Sequence, residues 1–303
     1  KLDGGTFETP DHTRACRPFG ENCGFTLAEA SQFVVLFDDA LALELGAQIY
    51  GSVADVFVNA DGFKKSIPGP GIGNYLTLGK AMGSVRAILG EQALKHHTYI
   101  QAHGTGTPQN RVTESHIFDQ LAQAFGIQDW PITAIKAFVG HSLACASGDQ
   151  IIAALGVWHD HIIPGIKTTG AIAEDVHQSN LDFLLEHRTV DPGHLQATFI
   201  NSKGFGGNNA TAAILSPEVT RSMLAKRHGK AAMLSFQTRQ ADTLASSAAY
   251  DAACLNNETA PIYQFGQGVV EGSALNLSDA AISIPGYGKP ISLQVDNPYD
   301  DMT

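Results

Sequence analysis

Along the first two thirds of this chain, short unbroken apolar runs alternate with stripes of helical period. Ser31 to Phe37, with Phe33, Val34, Val35, Leu36 and Phe37 in succession, predicts a buried strand. Asp38-Asp39 then opens a helical stretch, Ala40 to Leu45, stopped by Gly46. Ile49 to Val58 reads as a second strand, and Pro68 to Gly73 as a loop by its turn chemistry. Leu78, Met82, Val85 and Leu89 fall on one face of a helix over Tyr75–Leu89. His97 to Ala102 is a strand that delivers His103 at its end. A helix follows Pro108, from about Arg111 to Phe125, with Ile117, Leu121 and Phe125 on one face. Ile132 to Lys136 reads as a strand ending just before His141, and Gly148 to Trp158 as a helix. Gln196 to Asn201 and Ala210 to Leu215 are strands flanking a glycine-rich turn, a hairpin-like pair.

Alternation of strands and helices up to Ser216 defines an α/β class, a mixed sheet covered by helices. Pro217 marks a change to a chain richer in Ala, Ser and Gly. Helices are expected around Glu218–Lys226 and Thr238–Leu255, followed by a Gly- and Pro-bearing tail, 266–300, without a strong period. The expected division is a body over 1–216 and an extension over 217–303 that packs on it.

Composition removes several function classes. A net charge of -11 argues against general nucleic-acid binding. With no run of about 18 apolar residues, no transmembrane helix is expected. Cysteines at 16, 23, 145 and 254 suggest neither a disulfide framework nor a metal site, and reduced thiols in a cytoplasm are the simpler reading. No cofactor or metal is expected. The first residues, Lys1-Leu2-Asp3, lack an initiator methionine, so a fragment or a processed product is expected.

Three phrases carry the candidate chemistry: Ala102-His103-Gly104-Thr105-Gly106-Thr107-Pro108, Lys136-Ala137-Phe138-Val139-Gly140-His141, and Asn201-Ser202-Lys203-Gly204-Phe205-Gly206-Gly207-Asn208-Asn209. A neutral imidazole at a strand end can donate an N–H to a developing oxyanion. Two such donors aimed at one point, His103 and His141, would stabilise an enolate. Lys136 could orient or tune the pair. Thr105 and Thr107 could hydrogen-bond a pantetheine arm. Gly204, Gly206 and Gly207 let backbone approach a substrate and take positive φ, and the Phe205 N–H could serve an oxyanion hole. Alone, each phrase reads more readily as a strand-end turn, a surface lysine or a hairpin bulge. Their order and their strand–loop–helix context favour the joint reading.

These phrases resemble the C-terminal half of the β-ketoacyl-ACP synthases, of the thiolase superfamily. The resemblance spans about residues 14–216, and includes Arg17-Pro18-Phe19 and Gly24 to Ala30 as that family's mid-chain segment. It implies a thiolase-like fold and a Cys–His–His mechanism: a cysteine takes an acyl group from CoA or carrier protein, malonyl-ACP loses carbon dioxide, and the carbanion attacks the thioester. His103 and His141 then correspond to the catalytic histidines, Lys136 to the family lysine, Phe205 to the gate, and Glu114 to an acidic helix residue that could pair with Lys136 or equally stand as a solvated helix-face carboxylate. The length is similar to that of long atypical synthases that start bacterial fatty-acid synthesis from acetyl-CoA.

Departures from the pattern matter. No cysteine here matches the family nucleophile, so the resemblance implies that an N-terminal half of the same enzyme supplies it. Lys203 stands where an apolar residue is usual, Asn208 where Thr is usual, and Arg111 where an acidic or small residue is usual. Implied partners are acyl carrier protein, malonyl-ACP, an acyl-CoA or acyl-ACP primer, and a second copy in a homodimer. Carrier proteins are acidic, so Arg17, Lys64 and Lys65 are docking candidates. The rivals are a non-catalytic chain-length-factor-like partner and a thiolase acting on CoA esters.

Overall fold

The computed structural model describes residues 11–12, 15–21, 24–62 and 71–302. They fall into two compact units, one ending at Leu244 and one beginning at Ala245.

The first unit begins with a short helix, α1 (Asp39–Leu45). Asp38 caps it by accepting the Leu41 N–H, and Gly46 ends it in the left-handed region. Then come β1 (Ser52–Ala60), α2 (Gly73–Leu89), α3 (Glu91–His96), β2 (Thr98–Gln101), α4 (Pro108–Phe125), β3 (Trp130–Thr133) and α5 (Lys136–Val139). After them run α6 (Ala146–Asp160), β4 (Ile162–Ile163), β5 (Leu181–Phe183), β6 (Arg188–Thr189), β7 (Ala197–Gly204), β8 (Asn208–Leu215) and α7 (Pro217–Leu255), the last broken at Gly229. Six strands form one mixed sheet in the order β1-β8-β7-β2-β3-β5. β1, β8 and β7 pair antiparallel, and β7, β2, β3 and β5 pair parallel.

Strand side chains alternate between faces, so the sheet divides its apolar residues between two helical layers. Ile100, Phe199 and Ala213 join Leu78, Met82 and Val85 of α2 and Ile117 and Phe118 of α4 in one cluster. Tyr99, Ile200 and Ile214 join Ala154, Val157 and Trp158 of α6 in another. On either side of the break in α7, Leu224 and Phe236 close on Leu43 and Ile49. Parallel β2 and β3 end side by side, with Gln101 opposite Thr133, so the loops leaving them emerge at one edge of the sheet. Those loops carry the histidines.

Two expectations are corrected. Ser31–Phe37 is not a buried strand: it has no ladder partner among the described residues, and Phe33 is 90% exposed. An apolar run states that a segment is fit for burial, not what covers it. Lys136 does not end a strand; β3 stops at Thr133 and Lys136 opens α5.

From Ala245 the second unit holds the end of α7 and three short antiparallel strands, β9 (Asn276–Leu277), β10 (Ala281–Ser283) and β11 (Ile291–Ser292). They lie in the segment whose sequence shows no strong period. None of its described residues is buried. Among the described residues, no helix is long and apolar enough to cross a membrane.

Candidate active site

The loop after β2 is held by one carboxylate. Glu114, fully buried on α4, accepts from the backbone N–H of His103 (2.7 Å) and of Gly104 (2.9 Å). It also takes the side-chain amides of Asn110 (3.0 Å) and Asn201 (2.8 Å), so each oxygen meets two donors. The expected pairing with Lys136 is therefore corrected: four N–H donors occupy the carboxylate. Gly104 stands at φ +55°, and a Cβ there would meet that of Ala134 at 2.5 Å, so only glycine fits.

Lys136 is 2% exposed and donates from Nζ to the His103 carbonyl at 2.6 Å. Burial lowers its pKa from 10.5 to about 8, against the opposing pull of Glu114, Cys16 and Asp149. His103 itself is buried, and its pKa lies well below the ordinary value, first through desolvation and then through Lys136, His141 and Lys203. Its Nδ1 meets no hydrogen-bond partner among the described residues.

Gly140, at φ +70°, turns the chain out of α5, and a Cβ there would lie 2.9 Å from the Thr26 carbonyl. That carbonyl accepts the His141 N–H at 2.7 Å, and the His141 carbonyl accepts from Ala28 at 3.1 Å, so residues 26–28 brace the histidine. Leu143, in the left-handed region at φ +58°, donates its N–H to His141 Nδ1 at 3.1 Å. A ring that accepts at Nδ1 while neutral carries its proton on Nε2. Desolvation, then Lys136, lowers the His141 pKa to about 4, so the ring is neutral at pH 7. The two imidazoles meet edge to face, centroids 5.3 Å apart. Two neutral imidazoles and a buried lysine thus converge at the edge where β2 and β3 end, an arrangement suited to stabilising negative charge on one substrate atom.

The other residues singled out fall around this centre or outside it. Thr105 and Thr107 hydroxyls lie 3.3 Å apart in the His103 loop. Phe205 is 70% exposed at the tip of the β7–β8 hairpin. Gly206 and Gly207 take φ near +79°, whereas Gly204 is extended at φ -126°, which corrects the expectation of positive φ for all three. Lys203 is 6% exposed and its charge reaches His103. Arg17 bonds the Glu21 carbonyl, and Lys64 and Lys65 lie outside the described residues. Burial pushes the Cys16 thiol pKa up, so it is no poised thiolate. Cys16 and Lys136 border a 280 Å³ cleft with His12, Thr26 and Thr168.

Some site residues were not visible in the sequence. Gln150 on α6 donates to the carbonyls of Gln101, Ala102 and Asn201, tying the end of β2 to the middle of β7. Asn74 on α2 exchanges hydrogen bonds with Asn201. Asp149 on α6 accepts from Ser142 and Gln32. Each sits in an ordinary helical stretch, and only the assembled layers show its role. Arg111 forks onto Asp175 (2.7 and 3.0 Å) and reaches the Gly20 carbonyl and Glu21, pinning residues 20–21 to α4.

The mixed sheet between two helical layers is a fold of the thiolase type. Residues 50–168 match the family model "Beta-ketoacyl synthase, C-terminal domain", and the chain belongs with the β-ketoacyl synthases. The beta-ketoacyl-acyl-carrier-protein synthase FabY of Pseudomonas aeruginosa is 52% identical over 292 residues, 96% of this chain and 46% of FabY. A 3-oxoacyl-acyl-carrier-protein synthase 2 of Synechocystis sp. is 31% identical over 222 residues, 69% of this chain and 48% of that protein. The crystal structure of the P. aeruginosa ketosynthase FabY superposes with a TM-score of 0.92 at 51% identity, over 98% of this chain and 47% of that one. The chain spans about half the length of the curated relatives it matches.

Proposed function

We propose that this chain provides the histidine half of a 3-oxoacyl-ACP synthase, which joins an acyl or acetyl primer to malonyl-ACP by decarboxylative Claisen condensation in fatty-acid biosynthesis. The observation that carries this reading is the meeting of two neutral imidazoles 5.3 Å apart, with Lys136 bonded to the backbone of one of them. Loss of carbon dioxide from a malonyl thioester places charge on the thioester oxygen. His141 Nε2–H and the His103 ring are the donors for that oxygen. The resulting carbanion attacks an acyl thioester, whose thiolate leaves. The attacked thioester belongs to a cysteine outside these 303 residues, since no cysteine here matches the family nucleophile and burial pushes the Cys16 thiol pKa up. Thr105 and Thr107 receive the pantetheine arm, and Phe205, between flexible glycines, gates the acyl pocket with its N–H in the oxyanion hole.

The partners in this reading are acyl carrier protein, an acyl-CoA or acyl-ACP primer, the nucleophile-bearing N-terminal half and a second copy in a cytoplasmic homodimer. Arg17, Lys64 and Lys65 are the docking cations. Residues 1–216 form the synthase half, and 217–303 a C-terminal extension. Retention of both histidines and of Lys136 supports this reading over a non-catalytic partner.

Incubation of the chain with radiolabelled acetyl-CoA and mass mapping tests the nucleophile assignment. No acyl-enzyme is expected, and stoichiometric acylation of Cys16 or Cys145 would overturn it. With the N-terminal half added, condensation is expected to appear, and His103→Ala to lose malonyl-ACP decarboxylation by roughly 10²–10⁴-fold. Near-normal turnover in that variant removes His103 from the mechanism.

A further inference from the structure

We infer that Asp149 is the positioning residue of His141: its carboxylate holds the turn that decides which ring nitrogen carries the proton. The role of that proton rests on the function proposed above, but the tautomer does not. Asp149 lies in the first turn of α6, where the helix N-terminus favours a carboxylate. One of its oxygens accepts from the Ser142 hydroxyl and the other from the Gln32 side-chain amide. Ser142 joins His141 to Leu143, and the Leu143 N–H reaches back to His141 Nδ1.

That reach requires Leu143 to stay in the left-handed region, which a branched side chain resists. Something must hold the turn against relaxation. The Asp149–Ser142 bond lies immediately beside it. The Asp149–Gln32 bond ties in the segment whose residues 26–28 brace His141 from the other side. Close packing supports the second tie, since a Cβ on Gly148 would fall 2.4 Å from Gln32 Oε1. Among the described residues, Asp149 is thus the carboxylate that joins both braces of His141.

The groups that face His141 are Lys136 and Asp149, which act on its charge in opposite directions, and the rings of His103 and Phe25. With the turn released, Nδ1 loses its donor and is free to take the proton. The ring then offers no fixed Nε2–H to a substrate oxygen.

The test is the nitrogen NMR signature of His141 in the ¹⁵N-histidine-labelled chain, assigned by His141→Gln. The wild type is expected to show an unprotonated Nδ1 and a protonated Nε2 at pH 7. Asp149→Ala is expected to average the two shifts, and Asp149→Asn, which keeps one acceptor, to average them less. Ser142→Ala should reproduce the Asp149→Ala effect, and stands in for it if that variant does not fold. A folded Asp149→Ala or Ser142→Ala chain with the wild-type pattern overturns the inference. This readout needs no condensing activity. A changed signature, in a chain whose histidine variants leave condensation untouched, would sink the function and keep the positioning role.

Discussion

Replacing Glu114 by Gln changes one atom and tests the whole loop. Its two oxygens receive four donors: His103 N–H and Asn201 on Oε1, Gly104 N–H and Asn110 on Oε2. A glutamine must set its NH₂ against one of these pairs. Set against Oε1's pair, it opposes a backbone N–H and an Asn201 amide that Asn74 also engages. Set against Oε2's pair, it opposes the Gly104 N–H and Asn110. Asn110 Oδ1 has no partner among the described residues, so that amide can flip and accept. One buried N–H, that of Gly104, then stays unpaired, at about 1–3 kcal/mol. The two remaining bonds also lose their charge, roughly halving each. The expected loss is about 2–5 kcal/mol for Glu114→Gln, and more for Glu114→Ala, which orphans all four donors. Urea unfolding of the chain at pH 7, with m unchanged, measures it. A Glu114→Gln chain within about 0.5 kcal/mol of wild type, the range of an ordinary surface substitution, refutes the argument that this carboxylate holds the His103 loop.

Lys136→Met gives a pH-dependent effect. The folded pKa, about 8, lies below the unfolded 10.5, so the unfolded chain binds more protons between those values and stability rises with pH across that window. Below pH 8 the buried cation costs about 3 kcal/mol. Unfolding midpoints at pH 7 and 10 should show that rise in wild type and its loss in Lys136→Met; equal slopes dismiss it. For His141, with a pKa of about 4, the neutral donor persists well below the usual histidine range. Decarboxylation in the reconstituted enzyme should keep a His141-dependent limb near pH 4, and a limb near 6.5 contradicts the desolvated ring. Lys203, buried with its charge felt at His103, should disfavour long acyl primers. Lys203→Phe is expected to shift the octanoyl-to-acetyl ratio of kcat/KM upward by roughly tenfold, and an unchanged ratio retires that role.

Period and punctuation were enough for most elements. The stripe through Leu78, Met82, Val85 and Leu89 marks the buried face of α2, because a helix repeats every 3.6 residues whatever surrounds it. Gly46 after Leu45 marks a helix end for the same local reason. The strands beside the glycine turn were legible too, since β7 and β8 close on each other across a short connection. The two histidine phrases could be placed at the loops that leave β2 and β3 because each follows a short apolar run.

What failed was everything that depends on a neighbour distant in the chain. Phe33 to Phe37 has the composition of a buried strand, but burial needs a covering surface, and none of the described chain supplies one. Glu114 was singled out by the resemblance, with pairing to Lys136 left open, whereas the fold offers it four N–H donors from three segments. Asp149 has no local signal, because its partners lie 7 and 117 residues away. By itself the sequence determined most element types, their apolar faces and the loops that carry the two histidines, all properties of short-range period. Only the tertiary structure decided that the two rings meet, which nitrogen of His141 is free to donate, and which donors the carboxylates of Glu114 and Asp149 meet. Hydrogen bonds between layers are set by packing across the sheet, and no spacing along the chain records them.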